Sequence, residues 1–148
     1  MGKAAEIARE WFANGGPEKM ATLRDHLERV LVAKIERVRV NSGSAPRTPN
    51  TSNIAFDCIE GEAMVIALDL KGIAVSSGAA CSSGALEPSH VLMAMGMSAD
   101  QARASVRFSL GKQTTQDDID LAVARVPEVV ERLRELSPLW KAQAVGTK

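Results

Sequence analysis

The chain has 148 residues, enough to bury roughly two-thirds of its unfolded surface around one core and too few for a second independent domain. Its 18 basic and 18 acidic side chains cancel, leaving no net field to gather nucleic acid or anionic lipid. It opens MGKAAEIAREWF without an apolar leader core, and no later stretch approaches the ~20 apolar residues of a membrane span. A soluble, cytoplasmic protein is therefore expected.

In chain order, Ala4, Ile7, Ala8 and Trp11 recur at helical spacing until Asn14-Gly15-Gly16-Pro17 breaks the pattern. A second helix is predicted from about Glu18 to Ile35, because Met20, Leu23, Leu27, Val30, Leu31 and the stem of Lys34 share one face. Arg37 to Asn41 alternates with period two and reads as an edge strand, followed by the turn-rich SGSAPRTPNTS. A short strand then carries Ile54 and Phe56 on one side and Asn53, Ala55 and Asp57 on the other. A helix over Glu60 to Lys71 stops at Gly72, and Ile73 to Val75 reads as a small strand. Pro88 suits the first turn of a helix bearing Val91, Leu92 and an inward Met95, which Gly96 ends. Ser98 with Gln101 forms a capping box, and Ala104 to Leu110 is a strand. Thr115 with Asp118 opens a long last helix whose apolar face is Ile119, Ala122, Val126, Val130 and Leu133. Pro127 should kink that helix and Pro138 should end it.

Helices alternating with strands near residues 38, 55, 74 and 106 predict a small α/β (α+β) sandwich, with helices packed on one face of a short sheet. The expected organisation is a single domain over 1–148. Within it, 1–36 hold the first helices, 37–140 the core with a mobile cysteine loop over 76–88, and 141–148 a tail. A chain that opens on helical spacing is also expected to be part of something larger.

Chemistry concentrates in two places. Between Val75 and Pro88 runs SSGAACSSGALE, small residues with too little apolar surface to pin them, and Cys81 sits at its centre. A thiol so placed is exposed enough to react and loosely enough tethered to deliver what it collects, although an incidental free cysteine would look the same. In Ser105-Val106-Arg107-Phe108-Ser109-Leu110 the apolar residues point to one side and Arg107 to the other. A guanidinium there can hold a carboxylate bidentately, or make a surface ion pair.

SSGAACSSGALEPSHVLMAMG, SVRFSLGKQTTQDDID and RLRELSPLW together resemble the C-terminal signature of cysteine desulfurases of the nitrogen-fixation and iron-sulfur-cluster type, in register from Asn53 to Trp140. The resemblance implies the small C-terminal domain of the fold-type-I pyridoxal-phosphate transferase fold, with a short, mainly antiparallel sheet. It implies that Cys81 accepts sulfur from L-cysteine as a persulfide, releasing L-alanine, and that Arg107 holds the substrate carboxylate. It further implies an iron-sulfur scaffold or other sulfur acceptor as partner, a homodimer in the complete enzyme, and Cys81 as a transient ligand of a nascent cluster.

The resemblance departs at the cofactor. The family's aldimine lysine follows a histidine in an N-terminal domain, and this chain has no His-Lys pair among its seven lysines. The chain is accordingly expected to be a C-terminal fragment that binds no pyridoxal phosphate alone and is inactive without its partner domain. A standalone persulfide-relay or interaction module and a plain structural domain are the alternatives. Cys58 reads as a buried structural residue, His90 as a packing or capping residue, and His26 as solvated. Met93, Met95 and Met97 read as core filler, since alternate positions on one helix cannot converge on a metal.

Overall fold

The computed structural model describes residues 1–77 and 87–145. Helix α1 (Gly2–Ala13) leads into α2 (Gly16–Lys34), and only Asn14 and Gly15 separate them. Gly16 and Pro17 are already helical, because Pro at the start of a helix gives up only an N–H that would be unpaired anyway. Gly16 has a packing reason as well: a Cβ there would lie 2.1 Å from the indole of Trp11.

The described strands are β1 (Val38–Val40), β2 (Thr51–Phe56), β3 (Ser76–Ser77) and β4 (Ser105–Ser109). They form one antiparallel sheet in the order β1-β2-β4-β3, so β1 is an edge strand, as its alternating pattern predicts. The remaining elements are α3 (Gly61–Asp69), α4 (His90–Ala94), α5 (Ala99–Arg103), α6 (Gln116–Leu136) and α7 (Pro138–Val145).

Period-two alternation places Val38, Val40, Ile54, Phe56, Val106 and Phe108 on one side of the sheet. Against that side pack Leu23, Leu27 and Leu31 of α2, Met64 and Leu68 of α3, and Ile119, Val126 and Val130 of α6. Ile54, Phe56, Val106, Met64 and Leu68 are fully buried, so the sheet is covered on this face as expected. Helix α3 approaches β4 so closely that a Cβ on Gly61 would sit 2.7 Å from the Arg103 carbonyl and 2.9 Å from that of Ser105.

Local chemistry explains the helix ends. Thr115 and Asp118 make the predicted capping box of α6, and Ser98 and Gln101 that of α5. The hydrogen bonds that Asp118 accepts from Thr115 hold its carboxyl below the usual aspartate range. Helix α6 continues through Pro127, whose missing N–H would have served the carbonyl of Val123. The Lys34 ammonium reaches that carbonyl at 3.5 Å instead.

Several expectations shift. Ile73 to Val75 is not a strand. The Ile73 N–H closes the end of α3 on the Leu68 carbonyl at 2.9 Å with Gly72 left-handed (φ 78°), so Ile73 packs as a helix-end residue and pairing starts at Ser76. Met95 does not point inward. It is 51% exposed, while Leu92 (7%) is the residue that the five-residue α4 buries. The cap of α4 is Ser89, whose Oγ accepts from the Leu92 N–H at 3.4 Å, so Pro88 lies just before the helix and His90 is exposed. Pro138 ends α6 by starting α7, which runs on to Val145. Cys58 is half-buried with a left-handed φ of 66°, not a core residue. His26 is half-buried too, with Arg29 Nη2 2.9 Å from its Nδ1 and Asp120 4.0 Å from its Nε2.

Candidate functional site

The face of the sheet opposite α2, α3 and α6 carries the site, with α5 covering its Ser105 corner. Residues Arg39, Asn53, Ala55, Ser76, Ser105 and Arg107 alternate onto it. Arg107 is exposed there, between buried Val106 and buried Phe108, as the motif predicts. The charged side chains that the four described strands present on this face, Arg39 and Arg107, are both cationic. The local field therefore favours an anion although the chain is neutral overall.

Strand register adds what spacing along the chain could not. Arg107 stands directly opposite Asn53 on β2 and opposite Ser76 on β3. The β1–β2 ladder extends one step further, with the Asn41 N–H donating to the Asn53 carbonyl at 2.8 Å. Asn41, Asn53, Arg107 and Ser76 thus form a single polar row across the sheet, with neighbours separated by roughly 4.8 Å of strand spacing. Asn41 is buried (7% exposed), and its Nδ2 donates to Asn53 Oδ1 at 2.6 Å and to Ser105 Oγ at 3.1 Å. Ser105 Oγ in turn donates to the Gln101 carbonyl at 2.7 Å.

The turn-rich segment between β1 and β2 is held down by two arginines. Arg47 makes a fork to Glu28 of α2 (2.5 and 2.6 Å), and this carboxylate raises the guanidinium's pKa above its ordinary value. Arg24, itself buried, donates to the Thr48 carbonyl at 2.6 Å. Far from the open face, Arg134 is 5% exposed and donates to the Glu36 carbonyl at 2.8 Å and to that of Asp57 at 3.3 Å. Its guanidinium lies 4.2 Å from the Trp140 ring centre, with Arg37 at 5.3 Å from the same ring. Burial pulls the Arg134 pKa down.

Cys81 falls outside the described residues, and with it the expected persulfide and cluster-ligand roles. Its approach is described: β3, paired to β4 beside Arg107, is the strand that leads towards it. Among the described residues no group of His, Cys, Asp and Glu could hold a metal ion, and no helix is long and apolar enough to cross a membrane. Cys58 lies apart, lining a cleft of about 320 Å³ with Glu60, Asp100, Leu133 and Leu139.

Asn41, Asn53 and Ser76 were not singled out from the sequence. Each is an unremarkable polar residue until strand pairing sets it beside Arg107.

Comparison with known proteins places the chain in a family. The family model described as aminotransferase class-V matches residues 1–122. A cysteine desulfurase of Klebsiella pneumoniae is 45% identical over 141 residues, covering 95% of this chain and 35% of the relative. A cysteine desulfurase of a Nostoc species is 48% identical over 144 residues, covering 97% of this chain and 36% of the relative. The cysteine desulfurase NifS of Azotobacter vinelandii is 46% identical over 140 residues, covering 95% and 35%. Among solved structures, a NifS-like protein of Rickettsia africae aligns with a TM-score of 0.66 at 31% identity, covering 78% of this chain and 29% of that one. Another NifS-like protein aligns with a TM-score of 0.74 at 27% identity, covering 88% and 32%. The chain spans about a third of the length of the curated relatives it matches.

Proposed function

The chain belongs to the class-V aminotransferase family, and on that premise we propose that it supplies the sulfur-accepting thiol, Cys81, and the carboxylate-binding arginine, Arg107, of a cysteine desulfurase. The observation that carries this reading is the exposed Arg107 on the open face, directly opposite Ser76. Cys81 follows Ser76 by five positions, a tether of at most about 18 Å. A substrate carboxylate held by Arg107 therefore lies within the compass of the thiol.

The family is pyridoxal-phosphate-dependent, and the residues described here do not fit that group. All six described lysines (Lys3, Lys19, Lys34, Lys71, Lys112 and Lys141) are exposed, whereas an aldimine lysine is used where it is desolvated. The cofactor belongs to the two-thirds of the relatives' length that this chain does not span.

What this chain contributes is binding and sulfur capture. Arg107 takes the carboxylate of L-cysteine in a fork and sets the direction in which the substrate's sulfur projects. The Cys81 thiolate attacks that sulfur, the sulfur–sulfur bond forms as the carbon–sulfur bond breaks, and the carbon keeps the electron pair and is protonated to give alanine. Cys81 then carries a persulfide for a sulfur acceptor such as an iron-sulfur scaffold.

The test uses the complete enzyme, with the lysine-bearing region present. Cys81→Ala is expected to abolish sulfur release. Arg107→Ala is expected to raise KM for L-cysteine about 100-fold, the loss of roughly 2–3 kcal/mol from a bidentate charged pair. Sulfur release that survives in Cys81→Ala, or an unchanged KM in Arg107→Ala, overturns the corresponding assignment.

A further inference from the structure

Arg107 does not stand alone on its row, and the protons of its neighbours can be counted. Ser105 Oγ gives its single proton to the Gln101 carbonyl at 2.7 Å, so towards Asn41 it can only accept. The Asn41 amide must therefore present Nδ2 to Ser105 at 3.1 Å. The same Nδ2 lies 2.6 Å from Asn53, which must answer with its Oδ1. The reversed Asn41 amide would set two acceptors against each other and seal an NH2 group without partners. The observed orientation leaves only the carbonyl oxygen Oδ1 of Asn41 unpaired, and that oxygen is buried.

The consequence falls on Asn53. With Oδ1 committed to Asn41, its Nδ2 is the remaining edge, and no described residue accepts from it. Asn53 is half-buried and directly across from Arg107, where opposed Cβ atoms lie roughly 5 Å apart. A rigid amide N–H donor and a guanidinium fork are thus held side by side on one face, at a spacing a single carboxylate can bridge.

We propose that Asn53 is a second carboxylate-binding residue, donating from Nδ2 to the same substrate carboxylate that Arg107 grips, and that Gln101, Ser105 and Asn41 form the relay that fixes its orientation. This deepens the proposed function and rests on the reading of Arg107 as the carboxylate site. The chemistry it selects is a carboxylate. A substrate analogue with the amine and thiol but no carboxylate offers the pair nothing to bind.

The test is a nitrogen-15 NMR titration of the 148-residue chain with L-alanine and L-cysteine at millimolar concentration, and with cysteamine, which lacks the carboxylate. The side-chain amide signals of Asn53 and the Nε–H of Arg107 are expected to move together with both amino acids and to stay put with cysteamine. Asn53→Ala is expected to weaken L-alanine binding about tenfold, the ordinary size of a hydrogen bond to a charged acceptor. Asn53→Asp keeps the acceptor that Asn41 needs, so the relay stays intact, but it exchanges the free donor for a negative charge and should remove binding. An Arg107 signal that moves while Asn53 does not, or an unchanged affinity in Asn53→Ala, overturns the role of Asn53 and leaves that of Arg107 standing. If neither signal moves, the carboxylate reading of Arg107 fails and the inference falls with it.

Discussion

Replacing Arg134 by methionine should cost this protein a large share of its stability, although Arg134 lies on the helical side, away from the open face. The side chain is 5% exposed, and its Nη2 and Nε satisfy the carbonyls of Glu36 at 2.8 Å and Asp57 at 3.3 Å, just before β1 and just after β2. It therefore ties the last turn of α6 to the end of the β1–β2 pair where β1 begins and β2 finishes, and Trp140 covers it at 4.2 Å. Methionine keeps the apolar stem and removes every donor. Three carbonyls lose a charged donor, those of Glu36 and Asp57 at roughly 1–2 kcal/mol each and the longer one of Arg37 at 3.4 Å adding little, and the ring contact adds about 0.5–1 kcal/mol. Relief of the buried charge gives part of that back, for a net loss of about 3 kcal/mol against the 5–15 kcal/mol typical of a domain. Urea unfolding followed by circular dichroism should show a lower midpoint at unchanged slope, and Tm should fall by roughly 10 °C. A double-mutant cycle with Trp140→Leu should return a coupling of about 1 kcal/mol. An Arg134→Met protein within about 0.5 kcal/mol of the parent would refute the latch.

Gly61→Ala forces a methyl group to within 3 Å of two β4-side carbonyls, those of Arg103 and Ser105, and should destabilise by about 2–3 kcal/mol in the same unfolding assay. Thr115→Ala removes the hydroxyl hydrogen bond to the Asp118 carboxylate and keeps the backbone N–H one, the larger cause of its low pKa, so the gap between wild type and variant should be widest at neutral pH and narrow in acid. The sign follows from a folded pKa lying below the unfolded one. The contribution is whole above the ordinary aspartate range and disappears as pH falls through the depressed value. A difference that persisted unchanged to strongly acidic pH would place the effect in the Thr115 cap alone.

Most elements were legible because their signals are local. The capping boxes at Ser98 and Thr115, the alternation around Arg107 and the edge strand near Val38 each lie within a few residues of sequence. The misreadings have a common cause. Ile73 and Val75 have strand-forming side chains, but the Gly72 turn that closes α3 claims Ile73 first. Met95 has the spacing of an inward residue, but a helix as short as α4 buries one position, Leu92. The polar row is harder still, since Asn41, Asn53, Arg107 and Ser76 become neighbours only when β1, β2, β4 and β3 pair in that order and register. Arg134 was visible as part of a motif. Its purpose was not, because the carbonyls it serves belong to turns on the other side of the chain's path.

The central claim is that Cys81 receives the sulfur. The direct measurement is peptide mass spectrometry of the complete enzyme after a brief exposure to L-cysteine, with the Cys81 and Cys58 peptides followed. The account predicts one added sulfur atom on the Cys81 peptide and none on that of Cys58, with the adduct released by a thiol reductant. Added sulfur on Cys58, or on neither peptide while alanine is still formed, would contradict it.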